Sequence, residues 1–127
     1  MSADILIVDD NETNLKLLKY LLASNGYAIR TATDAEQALD LLATYRPAAI
    51  MLDLQLPGMD GLALARKLRA DAALRDVVIV AVTAHAMKGE EQRALAAGCD
   101  AFVTKPIDTR NLPKRLAELL AARPEAR

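Results

Sequence analysis

A short aliphatic run followed by a longer segment with helical spacing of leucine and alanine occurs five times along this chain. Continuous apolar runs of this length are typical of strands that are buried on both faces. Strands that alternate with helices through short connections form a parallel sheet covered by helices on both sides. We therefore predict an α/β sandwich, with strands at 5–8, 27–31, 48–52, 77–82 and 101–104.

The helical segments differ in how clearly they are marked. The first, 11–24, has leucine rows at Leu15, Leu18, Leu22 and at Leu17, Leu21. Asp34 is expected to cap the second, which Pro47 ends. The third follows a loop, 54–61, rich in proline and glycine. The fourth, 86–97, has only a thin apolar face of Met87, Ala94 and Leu95. The fifth presents Leu112, Leu116, Leu119 and Leu120, with Pro113 in its first turn and frayed residues from Ala121 onward.

Length and charge limit the class of protein. The 127 residues, 53% of them hydrophobic, suffice for one domain, which we place at 1–127 with its core at 4–122 and no output domain. A net charge of −1 and 3% aromatic residues argue against a nucleic-acid or membrane-surface binder. The single cysteine, Cys99, cannot form an internal disulfide, and we expect it to be a small buried hydrophobe. With no secretory signal visible, we expect a cytoplasmic protein.

Polar side chains follow four of the five predicted strands. Asp9 and Asp10 end the first, Asp53 the third, Thr83 the fourth and Lys105 the fifth. In an open parallel sheet, ligands bind outside the carboxyl ends of the strands. We therefore expect these side chains to lie together at one edge, although each alone has an ordinary explanation as a helix cap, turn residue or solvated charge.

The combination indicates phosphoryl chemistry. Three crowded carboxylates repel one another unless a cation is present, and their oxygens suit Mg²⁺. A zinc site is excluded, because His85 and Cys99 are the sole histidine and cysteine. Lys105 adds a second positive charge, so the set can hold an anionic phosphoryl group. We predict Asp53 as the acceptor that forms an aspartyl phosphate, with Asp9 and Asp10 as metal ligands, whereas His85 only borders the site.

These residues resemble the receiver domain of two-component response regulators over nearly the whole chain. The motifs are ILIVDDN at 5–11, MLDLQLPGMDG at 51–61, VTA at 82–84 and KP at 105–106. With AHAMKG at 84–89, they are most similar to the stand-alone, cell-cycle type of receiver. The resemblance implies a flavodoxin-like (βα)5 doubly wound sandwich with strand order 2-1-3-4-5. It also implies that Mg²⁺, or Mn²⁺ as an alternative, binds to Asp10, Asp53 and the Gln55 carbonyl, with Asp9 helping.

The resemblance further implies a signalling role. Asp53 would take its phosphoryl group from a phosphohistidine on a sensor histidine kinase or histidine phosphotransferase. Thr83 would bond to the phosphoryl oxygen, Lys105 would pair with it, and Phe102 would occupy the aromatic switch position. The bond before Pro106 is often cis in this family. The output would be protein binding through helix 4, strand 5 and helix 5, about 87–120, rather than conventional enzyme turnover.

Several questions stay open at this level. Met1 directly before the first strand favours a stand-alone protein, but the chain could be a receiver cut from a longer regulator or hybrid kinase. A monomer and a weak dimer are both compatible with the sequence. A haloacid-dehalogenase-like phosphatase would have a second Asp at the position of Gln55, and a flavodoxin would lack the acidic Asp9 and Asp10. A docking module without phosphorylation is the remaining alternative.

Overall fold

A five-stranded parallel sheet in the order β2-β1-β3-β4-β5 forms the centre of the protein. The computed structural model describes residues 3–56, 60–84 and 88–122. The strands are β1 Asp4–Val8, β2 Ala28–Ala32, β3 Ala49–Asp53, β4 Val78–Thr83 and β5 Ala101–Thr104. The helices are α1 Glu12–Ala23, α2 Ala35–Leu42, α3 Gly61–Ala70, α4 Glu90–Ala96 and α5 Asn111–Ala122. The predicted strand order and flavodoxin-like fold are confirmed.

The sheet separates two apolar cores. Side chains alternate along β1, so that Leu6 packs on the side of α2, α3 and α4, and Ile7 packs on the side of α1 and α5. All five residues of β3 are buried, as expected of a central strand with both faces covered. Each fully buried leucine or isoleucine contributes about 1.5–3 kcal/mol to the hydrophobic stabilisation. Because helices pack on both faces of the parallel sheet, the carboxyl ends of its strands are kept together at one edge.

The helices deviate from the sequence predictions in several places, and α5 stays helical to Ala122, beyond Ala121 where fraying was expected. On α1 the row of Leu15, Leu18 and Leu22 is buried, but Leu17 is exposed because it points away from the sheet. The described part of the fourth helix runs from Glu90 to Ala96, shorter than the predicted 86–97, and Met87 lies outside the described residues. Leu95 is 46% exposed, so placing it on the buried face was wrong, and Ala94 alone is buried in α4.

Local side-chain bonds account for the helix starts. The N–H of Gln37 donates to Asp34 Oδ1 at 2.8 Å, which confirms Asp34 as the cap of α2. Pro113 is the third residue of α5, inside the first turn as predicted, where its missing N–H costs nothing. A 3₁₀ turn at Ala72–Leu74, capped by Asp71, was not predicted. It lets Leu74 enter the core between α3 and β4.

One arginine ties the amino-terminal ends of β4 and β5 together. The Arg69 guanidinium donates to the carbonyls of Arg75, Val77 and Gly98 at 2.8–2.9 Å, and to that of Leu74 at 3.3 Å. It also forms an ion pair with Asp100 at 2.8 Å. This network lies at the end of the sheet opposite the predicted site. Among the described residues, no helix has the length and apolar character needed to cross a membrane.

Candidate functional site at the carboxyl ends of the strands

Asp9 and Asp53 leave the sheet side by side. Val8 pairs with Leu52 in the register of β1 and β3, so the next residue of each strand reaches the same edge. Asp9 is 2% exposed and Asp53 is 3% exposed, whereas Asp10 is open to solvent. Two carboxylates at this depth need compensation by hydrogen bonds and positive charge.

The three aspartates form one cluster. One carboxylate oxygen each from Asp9, Asp10 and Asp53 lie within 4.8 Å of one another. The sequence prediction that these three residues meet is therefore confirmed. A set of hard oxygen donors, two of them buried and one facing water, suits a cation that keeps part of its hydration shell.

Backbone N–H groups orient the two buried carboxylates. The N–H of Asn11 donates to Asp9 Oδ1 at 2.8 Å, and the N–H of Gln55 donates to Asp53 Oδ1 at 2.9 Å. Asn11 is itself held in place, because its side chain accepts from the N–H of Asn14 and caps α1 at 3.0 Å. Each carboxylate thus has one oxygen fixed and leaves the other for a cation.

Lys105 supplies that cation from the protein. Its backbone N–H donates to the Thr83 carbonyl at 2.8 Å, which extends the pairing of β4 and β5 to the end of the sheet. The ammonium lies 3.2 Å from Asp9 Oδ2 and 3.3 Å from Asp53 Oδ2. Its side chain is 14% exposed, so little water screens these pairs. The peptide bond between Lys105 and Pro106 is cis, as the family resemblance implied.

The electrostatics at Asp9 favour an added cation. Burial raises the pKa of the Asp9 carboxyl above its usual range, and the negative charge of Asp53 raises it further. The Asn11 N–H and the Lys105 ammonium act in the opposite direction but do not cancel the rise in pKa. A divalent ion among the three aspartates would relieve the same repulsion, so the donor set fits Mg²⁺ in chemistry as well as in spacing.

The other predicted residues lie nearby. Asp53 pairs with Val82 in the sheet register, which places the fully buried Thr83 one residue beyond it at the end of β4. Phe102 on β5 is half-buried and packs against the core on the side of α2, α3 and α4. The side chain of Gln55 is exposed. His85 lies outside the described residues.

Cys99 takes no part in the site. Its thiol is buried next to the Arg69 network, and burial followed by the charge of Asp100 raises its pKa to about 11. A thiol with this pKa remains protonated and unreactive at neutral pH. The prediction that Cys99 is a small buried core residue is confirmed.

Sequence reasoning missed two contributors to the site. Asn11 was assigned only to the start of a helix, although its N–H holds Asp9. Gly61 was assigned only to a loop, although it packs against the backbone of Asp53 and Leu54. Neither contact has a signal in the sequence, because both depend on where the start of a helix meets the end of a neighbouring strand.

Comparison with known proteins identifies the family. The model of the response regulator receiver domain matches residues 5–117. "Polar-differentiation response regulator DivK" of Brucella ovis is 44% identical over 108 residues, covering 84% of this chain and 87% of the relative. The Brucella anthropi protein of the same description is 42% identical over 107 residues, with the same coverage of both chains.

Solved structures agree with this assignment. A CheY-like receiver domain protein from Methanospirillum hungatei has a TM-score of 0.89 and 29% identity, covering 95% of each chain. The receiver domain of the sensor histidine kinase PA1611 from Pseudomonas aeruginosa has a TM-score of 0.87 and 32% identity, covering 96% of this chain and all of that one. That structure carries a magnesium ion in its active-site cleft. The matched family, the shared strand order and the acidic cluster agree, and this chain belongs to the response regulator receiver domains.

Proposed function

We propose that this receiver accepts a phosphoryl group on Asp53 from a phosphohistidine and uses the modified state to change its binding to other proteins. The observation that carries the proposal is the position of the Lys105 ammonium, within 3.3 Å of both Asp9 and Asp53. A buried acceptor with an ammonium at this distance can hold a phosphoryl group whose charge would otherwise be repelled. Membership of the receiver family supports the same chemistry.

The proposed transfer is a displacement at phosphorus. A carboxylate oxygen of Asp53 forms a bond to phosphorus, and the bond from phosphorus to the donor imidazole nitrogen breaks. The electron pair of that bond stays on the nitrogen, so the donor leaves as a neutral histidine after proton uptake from water. The Gln55 N–H keeps Asp53 oriented, and Lys105 pairs with the transferred group. Thr83, at the end of the neighbouring strand, is proposed to donate its hydroxyl to a phosphoryl oxygen.

Mg²⁺ is the proposed cofactor. Asp10, Asp53 and the carbonyl of Gln55 would hold it, and Asp9, in the same cluster, would assist. When bound, the ion offsets negative charge on the phosphoryl oxygens. The magnesium ion in the Pseudomonas receiver domain supports this assignment. Mn²⁺ has no comparable support.

The proposed partners are a sensor histidine kinase or histidine phosphotransferase upstream and a protein target downstream. The surface of α4, β5 and α5 would carry the output. Its support is the weak anchoring of α4, which buries only Ala94 among the described residues and is preceded by Gly89, a residue that offers no side-chain cap. Phe102 and Thr83 on the adjoining strands would couple this surface to Asp53.

The protein is proposed to be a phosphorylation switch and not a conventional enzyme. A stand-alone organisation is supported by the curated relatives, 87% of whose length this chain covers. The cytoplasmic location and the oligomeric state stay predictions.

The decisive experiment is phosphorylation by acetyl phosphate with Mg²⁺, followed by intact mass. We expect the wild type to gain one phosphoryl group and Asp53→Asn to gain none. Chelation of the metal should abolish the gain in the wild type. Asp60→Asn is a matched control, since Asp60 caps α3 through the Leu62 N–H and asparagine caps equally well.

Two results would contradict the proposal. A phosphoryl group that persists in Asp53→Asn would show that another residue is the acceptor. A gain that is insensitive to the chelator would remove the metal from the mechanism. A phosphohistidine kinase used in place of acetyl phosphate then tests the proposed natural donor directly.

A further inference from the structure

Gly61, the first residue of α3, is buried against the end of β3. A Cβ atom at this position would collide with the Cα of Leu54 and lie 2.8 Å from the Leu54 carbonyl oxygen and 2.9 Å from that of Asp53. These are backbone atoms, so no side-chain rotation can relieve the contact. The N–H of Gly61 also donates to the Leu54 carbonyl at 3.3 Å.

The glycine is required for space and not for its backbone conformation. Among the described residues, positive φ angles occur at Gly26, Gly89 and Gly98, and Gly61 is not one of them. Alanine could therefore adopt the backbone angles of Gly61, and it would favour the helix. The absence of a side chain is needed only because the start of α3 lies directly on the Asp53 and Leu54 peptide units.

Those peptide units carry the reacting group. Leu54 connects Asp53 to Gln55, whose N–H holds Asp53 Oδ1 at 2.9 Å. The N–H of Leu54 donates to the Val82 carbonyl at 2.9 Å, so this segment is clamped between β4 on one side and α3 on the other. A methyl group at position 61 must push one of these two neighbours away by roughly 1 Å to reach a normal contact distance.

We propose that Gly61 is a positioning residue for phosphoryl transfer, because its close contact sets the Leu54 backbone and hence the placement of Asp53 and Gln55. This inference rests on the proposed function of Asp53. Displacements of roughly 1 Å at a reacting group can cost about 100-fold in rate. Gly61→Ala is therefore expected to weaken Mg²⁺ binding and to slow phosphorylation at saturating Mg²⁺ by roughly 10-fold or more.

The test compares Gly61→Ala with Gly98→Ala. Gly98 has a φ of +108°, and a Cβ there would lie 2.8 Å from the Arg69 side chain at the opposite end of the sheet. Both variants should lose thermal stability, but only Gly61→Ala should lose Mg²⁺ affinity by calorimetry and phosphorylation rate by intact mass. Equal phosphorylation in Gly61→Ala and Gly98→Ala would overturn the positioning role. A wild type that is not phosphorylated on Asp53 would instead overturn the proposed function.

A measurement on the wild type covers the case in which Gly61→Ala does not fold. In a Mg²⁺ titration followed by amide NMR, the Gly61 resonance should shift with the same midpoint as that of Gln55. The resonance of Gly98 should stay in place. A Gly61 amide that does not respond to Mg²⁺ would show that the contact does not couple to the site.

Discussion

The ammonium of Lys105 lies 3.3 Å from Oδ2 of Asp53, although 52 residues separate them in the chain. The contact exists because β3, β4 and β5 are neighbours in the sheet and end at the same edge. Lys105 is bonded equally closely to Asp9, so one positive charge serves two buried carboxylates. Under the proposed function, a second cation would balance the charge of the third aspartate and of a phosphoryl group.

Replacing Lys105 with alanine should leave a folded but less stable protein. Asp9 and Asp53 would lose their ammonium partner, at a cost of roughly 1–3 kcal/mol in the free energy of unfolding. Mg²⁺ should restore part of that loss. Urea unfolding with and without Mg²⁺ measures both effects, with the exposed Lys114→Ala on α5 as control. A variant that is unfolded even in Mg²⁺ would show that Lys105 is structural.

Mg²⁺ should stabilise the wild type through its ligands. A ligand that binds only the folded state at 100 times its dissociation constant adds about 2.7 kcal/mol. The thermal midpoint should therefore rise with Mg²⁺ concentration, and Asp10→Asn should remove most of the rise without lowering stability in chelator. Asp10 is exposed, so its substitution disturbs no core packing. An unchanged response to Mg²⁺ in Asp10→Asn would exclude it as a ligand.

Asp9→Asn should be more stable than the wild type in the absence of metal. Because folding raises the pKa of Asp9, the folded state binds this proton more tightly than the unfolded chain does, and ionised Asp9 opposes folding at pH 7. The gain in the free energy of unfolding should be present at pH 7, where Asp9 of the wild type is ionised. This gain in stability should shrink as the pH is lowered from 7 to about 4. Over that range the Asp9 carboxyl of the folded wild type, whose pKa is raised, takes up a proton and becomes neutral.

Urea unfolding between these pH values checks the Asp9 prediction. Asp40→Asn on the exposed side of α2 is the control, and it should show no such trend. A gain in Asp9→Asn that is independent of pH would mean that the charge of Asp9 is not its cause.

A phosphoryl mimic should move the output surface. With beryllofluoride and Mg²⁺, the amide resonances of Thr83, Phe102 and the start of α4 should shift more than those of α2. The physical reason is that the described part of α4 buries only Ala94, whereas α2 buries Ala35, Ala38 and Leu42. If only residues next to Asp53 responded, the proposed coupling from Thr83 to Phe102 would be wrong.

The Arg69 network should matter for stability and not for phosphorylation. Arg69→Ala removes five hydrogen bonds, four of them to backbone carbonyls, and should cost roughly 2–4 kcal/mol. Arg66→Ala, exposed on the same helix, should cost less than about 0.5 kcal/mol. Intact mass after acetyl phosphate should show equal phosphorylation in both variants where they are folded. Loss of phosphorylation in folded Arg69→Ala would reveal coupling between the two ends of the sheet.

Sequence patterns were sufficient for the strands and for most of the acidic site. Apolar runs such as Ile5 to Val8 form strands that are buried on both faces. Because a strand fixes the position of the residue that follows it, each run also predicts which polar residue lies at the edge of the sheet. Helix 4 was less predictable because a short amphipathic segment with one buried alanine leaves little periodic signal. Leu17 and Leu95 were assigned to apolar helix faces but are exposed. A leucine contributes to the sequence pattern whether or not its side chain faces the sheet.

The sequence by itself determined which groups are delivered to the strand ends: three carboxylates, a hydroxyl and an ammonium. Only the tertiary structure decided their depth, their shared hydrogen bonds and the direct contact of Lys105 with both Asp9 and Asp53. The same holds for Gly61, whose need for close packing depends on where α3 meets β3. The physical reason is that burial and contact are properties of neighbouring elements, and local propensity carries no information about them.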